Sequence, residues 1–175
     1  MIFVTVGGQM PFDRLIRTVD EWAFSRARSD VFAQIGPSDF RAKAIETTSF
    51  IDSIEFRRRF EAASLIVAHA GMGTIITALE CGKPIIAMPR RGKLRETRND
   101  HQVAMATHLL RQGRVTVAFD EQQLIERLDQ FEISHEMERI EPHASPRLIA
   151  TLHSFIEKEP SLRQQDVRSM GLRFR

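Results

Sequence analysis

Residues 64–74 read SLIVAHAGMGT, an apolar run that stops at a histidine and passes directly into a glycine-rich turn. Hydrophobicity that is continuous rather than alternating marks a strand covered on both faces, the kind found in a parallel sheet with helices on either side. Runs of the same character lie to both sides of it: IFVTVG (2–7), VFAQIG (31–36), PIIAMP (84–89) and VTVAF (115–119), with AIETTSF (44–50) as a weaker sixth.

Between these runs the period becomes helical. In PFDRLIRTVDEWAF, Phe12, Leu15, Ile16, Val19 and Trp22 share one face, and Pro11 suits a first helical turn. SIEFRRRFEAA points Ile54, Phe60 and Ala63 inward and its three arginines outward. NDHQVAMATHLLRQG opens on the cap candidates Asn99 and Asp100 and closes at Gly113, and SPRLIATLHSFIE forms a last amphipathic helix. Strands alternating with helices predict an α/β fold, a single Rossmann-like, doubly wound parallel sheet. Residues 1–156 form that domain, and 157–175 form a basic tail that either frays or docks on a partner or an anionic lipid surface.

Composition narrows the function. A chain of 175 residues with 42% hydrophobic content fits one compact domain and contains no apolar stretch long enough to span a bilayer. The start, MIFVTVGG, lacks the pattern of a secretory signal, so a cytoplasmic location is expected. A net charge of +2 does not point to nucleic acid, and the single cysteine, Cys81, reads as a buried, inert thiol. No cluster of His, Cys and carboxylates has metal-ligand spacing, so no metal and no cofactor are expected.

Ligands of open α/β sheets bind beyond the carboxyl ends of the strands, which singles out four loops. In HAGMGT, Gly71 and Gly73 let a ligand approach the backbone where Thr74 and its neighbours begin a helix, a position suited to phosphate oxygens. His69 then reaches an anionic oxygen or a leaving group; a tight turn with a backbone-satisfied histidine accounts for the same residues. VGGQ repeats the pattern with Gly7, Gly8 and Gln9, although a plain turn explains it as well. It is not the G-x-G-x-x-G dinucleotide fingerprint. SFIDS is the third loop. The fourth carries Arg90, Arg91, Lys93, Arg95 and Arg98 against one acid, Glu96, and reads as a solvated loop or an anion-meeting one. It leads into Asn99, Asp100, His101 and Gln102, which suit either helix capping or sugar hydroxyls.

In order, VTVGGQMPFDRL, SFIDSI, HAGMGTIITALECGKPIIAMPR and NDHQ resemble the C-terminal, nucleotide-sugar-binding half of a GT-B glycosyltransferase of family 28, over residues 1–155. Within that family the chain is most similar to short, split members: donor-binding subunits of dolichol-linked UDP-GlcNAc transfer and of bacterial exopolysaccharide synthesis. The resemblance implies transfer of a hexosyl unit from a UDP-sugar to a lipid-linked acceptor, by a chain active only with a membrane-anchored, acceptor-binding partner that supplies the general base. It puts Gly71, Met72, Gly73 and Thr74 at the diphosphate with His69 beside them stabilising the departing UDP. Phe50 and Ile51 fall at the uracil, Asp100, His101 and Gln102 at the sugar hydroxyls beside Asn99, and Gly7 to Gln9 at the cleft. Many relatives hold the ribose with a carboxylate at the position of Thr77; either Thr77 or Glu80, one turn on, takes that role here, or the ribose is held differently. GlcNAc and glucuronic acid are the candidate sugars, the latter because the basic loop would meet its carboxylate. The rivals are a nucleotide-sugar epimerase-like enzyme and a noncatalytic accessory or regulatory subunit.

Overall fold

The computed structural model describes residues 1–113, 115–131, 139–140 and 143–158. The chain forms two units, Met1–Ile140 and Glu141–Arg175.

The first unit is a six-stranded sheet with every pair parallel, in the order β3-β2-β1-β4-β5-β6. Its strands are β1 (Ile2–Thr5), β2 (Val31–Gln34), β3 (Glu46–Thr48), β4 (Leu65–His69), β5 (Ile85–Met88) and β6 (Thr116–Val117). The helices are α1 (Asp13–Ser25), α2 (Ser53–Ala62), α3 (Met72–Glu80), α4 (His101–Arg111) and α5 (Glu121–Asp129). Successive side chains of a strand leave by opposite faces. Ile2 and Val4 of β1 accordingly join one core, with Val67, Ile86 and Met88 and the buried stripe Leu15, Ile16, Val19 and Trp22 of α1. Phe3 joins the other, with Ile66, Ala68, Ile85, Phe60 of α2 and Ile75 of α3. Two apolar faces per strand explain the continuous hydrophobic runs.

The order reverses between β1 and β4, the switch point at which loops from both sides of a doubly wound sheet diverge and leave a crevice. One link in the sheet lacks a helix. Residues 35–45 join β2 to β3 as irregular chain, and Asp20 of α1, only 3% exposed, anchors them by accepting bonds from the amides of Lys43, Ala44 and Ile45 at 2.8–3.2 Å.

Several local expectations change. Helix α1 begins at Asp13, beyond Pro11, with Phe12 at the cap position. Ile54 is 81% exposed, because α2 turns Phe56 and Phe60 rather than Ile54 onto Phe3. Arg57 and Arg58 face outward as expected, but Arg59 folds back with its guanidinium 3.3 Å from the centroid of the Phe32 ring. Cys81 is partly exposed and lines a groove between α2 and α3 instead of being buried. Helix α5 was not apparent from the strand-and-helix alternation; Asp120 caps it by accepting from the Gln123 amide, and Leu124 and Leu128 bury its inner face.

In the second unit a helix α6 (Pro146–Lys158) covers the expected SPRLIATLHSFIE segment. The tail from residue 159 onward, and with it the expected docking segment, lies outside the described residues. Among the described residues no helix is long and apolar enough to cross a membrane.

Candidate functional site

At the switch point the chain leaves a cleft of about 410 Å³. Gly7, Gly8 and Gln9 enter it from the loop after β1, His69 from the end of β4, Arg90 from beyond β5, and His101 and Gln102 from the start of α4. Residues far apart in sequence converge here because parallel strands all end on the same side.

His69 is the centre of this arrangement. An added Cβ on Gly71 would fall 2.2 Å from its Nε2, and one on Gly7 would fall 3.1 Å from its Cε1, so the Nε2 edge of the ring lies between two glycines. Gly7 also has φ +77°, which glycine adopts without strain. The Nδ1 atom is buried without a hydrogen-bond partner. Burial first, and the Arg90 guanidinium second, hold the His69 pKa down from 6.5 to about 4, with the backbone of Thr5 acting in the opposite sense. The ring is therefore neutral near pH 7.

That depression has a consequence for stability. The unfolded chain takes up a proton on this histidine near pH 6.5 and the folded chain only near 4, so its contribution is complete above 6.5 and is lost as the pH falls through that window. The fall from pH 7 to 4 should cost up to about 3 kcal/mol through this group. Urea unfolding across that range should show His69→Gln losing less stability than the wild type; parallel curves would contradict this origin.

Arg90 belongs to the loop expected to be either solvated or anion-meeting, yet it is 4% exposed. Its guanidinium donates to the carbonyls of Val6 (2.8 Å), Met10 (2.7 Å), Pro11 (2.5 Å) and Glu96 (3.3 Å) and lies 4.7 Å from the centroid of the Phe12 ring. Its own amide donates to Oε1 of Gln102 at 3.1 Å. The rest of this loop is ordered by Glu96, whose carboxylate accepts from Arg14 at 2.6 and 2.9 Å and from the Arg91 amide at 2.9 Å. Arg91 donates to the Phe119 carbonyl, while Lys93, Arg95 and Arg98 are exposed. Arg90 lies two residues past the end of β5, and nothing in the local sequence separates it from the other cations of the loop.

The turn into α3 has a different character. Gly71 occupies the cap position with no side-chain cap, whereas Asp52 and Asp120 cap α2 and α5. Ile75 is the residue whose amide bonds back to Gly71, so the first-turn amides of Met72, Gly73 and Thr74 point past the helix end. A Cβ on Gly73 would meet nothing within 4 Å among the described residues. This end is open, and shaped to accept an anion.

Other expected residues are distributed around this centre. Phe50 stands 71% exposed just past β3, and Ile51 packs on the second core. Thr77 donates its hydroxyl to the Gly73 carbonyl at 2.9 Å and lines the separate groove of about 720 Å³ beside Cys81; Glu80 is exposed. The cleft therefore does not bring Thr77 or Glu80 to His69. Asn99 and Asp100 hold the backbone: Oδ1 of Asn99 accepts from the His101 amide at 3.2 Å and contacts the His101 ring, while Oδ1 of Asp100 accepts from Gly92 at 2.7 Å instead of capping α4.

Comparison with known proteins places the chain in a family and a fold. The family described as glycosyltransferase family 28 C-terminal domain matches residues 1–152. A Yarrowia lipolytica protein named UDP-N-acetylglucosamine transferase subunit ALG13 is 26% identical over 137 residues, covering 69% of this chain and 65% of that protein. The chain thus spans less than two thirds of that relative. The NMR solution structure of ALG13 superposes with a TM-score of 0.56 at 16% identity, covering 86% of this chain and 93% of that one. A crystal structure titled as the glycotransferase of kitacinnamycin also gives 0.56 at 17% identity, with 96% of this chain covering 42% of that one. At such identities the superpositions establish the Rossmann-like architecture of one GT-B half, and the sequence match establishes the lineage. The chain belongs to the glycosyltransferase family 28 C-terminal domain family.

Proposed function

We propose that this chain is the donor-binding half of a two-chain glycosyltransferase, and that the cleft around His69 with the open end of α3 holds the diphosphate of a UDP-sugar. The observation that carries this reading is the His69 ring lodged between Gly7 and Gly71 beside the first-turn amides of α3. Backbone donors, a helix N-terminus and a nearby fixed guanidinium together favour a group bearing two negative charges. The subunit named in the Yarrowia lipolytica relative supports the same reading.

The reaction breaks the bond from the anomeric carbon to the β-phosphate oxygen, joins that carbon to the acceptor hydroxyl oxygen, and passes the hydroxyl proton to a base. UDP leaves with the bonding electrons. His69 and the α3 amides stabilise that leaving charge. A bound diphosphate opposes the influence of Arg90, so the ring takes up a proton as the donor binds and presents an N–H to the departing oxygen. His101 and Gln102 face the sugar, and Phe50 and Ile51 the uracil. The general base and the acceptor site come from a membrane-anchored partner chain, which also brings this chain to the cytoplasmic face of the membrane and to a lipid-linked glycan. GlcNAc is the first candidate sugar, from the relative's name; for glucuronic acid the available cations are Lys93, Arg95 and Arg98, since Arg90 and Arg91 are engaged with carbonyls.

Glycosyl transfer from a panel of UDP-sugars to membrane lipid tests this, comparing the chain, its membrane partner and the two together. Activity only in the mixture, and lost in His69→Ala, is the expected result. Turnover of UDP-GlcNAc by the chain alone without acceptor points instead to an epimerase, and full activity of the partner alone to an accessory subunit; either overturns the proposal.

A further inference from the structure

The guanidinium of Arg90 is buried at the edge of the cleft without a carboxylate within ion-pairing distance among the described residues. Glu96, its nearest acid, gives its carboxylate to Arg14 and to the Arg91 amide, and offers Arg90 only its backbone carbonyl. A buried charge without a counter-ion is costly unless something neutralises it. Here four bonds to carbonyls satisfy its geometry but leave its charge intact. The carbonyls are those of Val6, Met10 and Pro11, which flank the first glycine loop, and of Glu96. The main chain of Arg90 holds Gln102 on the opposite wall. Arg90 thus touches both walls of the cleft.

Building on the donor-binding reading, we infer that Arg90 is the positioning residue of the cleft and its fixed positive charge: it sets the backbone of the Val6–Pro11 loop and the side chain of Gln102, and its counter-ion is the diphosphate of the bound nucleotide. Lysine would keep the charge but not the planar fork that spans four carbonyls. The groups facing His69 are consistent with this division of labour: Arg90 from beyond β5, the Thr5 backbone from β1, and His101 and Gln102 from α4 share its surroundings, and among the described residues no carboxylate joins them in the cleft lining.

The test uses UDP and uridine as probes, binding measured by calorimetry at low and high salt, and the His69 ring followed by NMR titration in the full chain. In Arg90→Met, UDP affinity should fall by at least about 30-fold with a flatter salt dependence, uridine affinity should stay within about twofold, and the His69 midpoint should move up from about 4. In Arg90→Lys the His69 midpoint should stay low and the UDP loss be smaller than in the methionine variant, while the amides of 7–10 exchange faster with solvent. Because methionine leaves several carbonyls without donors and endangers folding, the lysine variant carries the same test: equal loss of UDP and uridine there marks a structural role only and overturns the inference. So do unchanged UDP affinity and an unchanged His69 midpoint in a folded Arg90→Met. Failure of the wild type to bind UDP overturns the donor-binding reading itself and the inference with it, whereas equal binding by wild type and variant overturns the inference alone.

Discussion

Gly71→Ala is expected to lose UDP binding by about 100-fold or more while the domain stays folded. The new methyl carbon would stand 2.2 Å from Nε2 of His69 and 2.9 Å from its Cδ2 and Cε1, well inside van der Waals contact. Backbone strain plays no part, since φ −98° and ψ 130° at Gly71 suit any residue. The ring must move, and Gly7 closes its other side while Nδ1 is already buried. Overpacking at one site costs about 1–3 kcal/mol, which a domain of this size survives. Gly73→Ala is the matched control: its Cβ meets open space in the free protein, and alanine inside a helix gains roughly 0.5–1 kcal/mol over glycine. It should melt no lower than wild type, so any loss of UDP affinity there reports the ligand's own need for room. Calorimetry with UDP and thermal melts of both variants decide the matter; normal UDP binding by Gly71→Ala would show that the ring position is irrelevant.

Asp20→Ala, outside the cleft lining, should cost about 3–4 kcal/mol of stability. The carboxylate is buried and receives three consecutive backbone amides, so removing it leaves Lys43, Ala44 and Ile45 with unsatisfied donors at the point where the chain enters β3. Charge-assisted bonds of this kind are roughly twice as strong as neutral ones. For a chain of this size the melting temperature should drop by roughly 6–16 °C. Asparagine keeps one acceptor oxygen and should lose less. A melt of Asp20→Ala within 2 °C of wild type, allowing roughly 1 kcal/mol, would mean that the β2–β3 link is held by something else.

The sheet was legible because strands covered on two sides are apolar on both faces, a signal that 65–68 and 85–88 carry without interruption. The cleft was legible in part because ligands of open α/β sheets bind past the strand ends, and Gly7, Gly8, Gln9, His69, His101 and Gln102 do converge there; the glycine turns taken alone fitted plain turns equally well. What stayed hidden depended on direction and partners rather than residue type. Ile54 and Phe56 lie on one short helix, and only the crossing of α2 over Phe3 decides which is covered. Arg90 carries the charge of a surface residue, and its acceptors are carbonyls some 80 positions earlier, so nothing local distinguishes it from Lys93 or Arg98. Asp20 sits in a helix whose charged residues Asp13, Arg17 and Glu21 face water; its amide partners lie in irregular chain that has no periodicity to read. Asp100 looked like a cap because caps are local, but the Gly92 amide eight residues earlier takes its oxygen.

The proposed occupant of the cleft at the switch point is a nucleoside diphosphate. Titrating UDP into the isotopically labelled chain and following its amide and histidine-ring NMR signals tests this without needing the partner or the acceptor. Saturable shifts are expected at Gly7–Gln9, His69, Gly71–Thr74 and His101–Gln102, with an upward move of the His69 midpoint from about 4. No shift at millimolar UDP, or shifts confined to residues away from these loops, would contradict it.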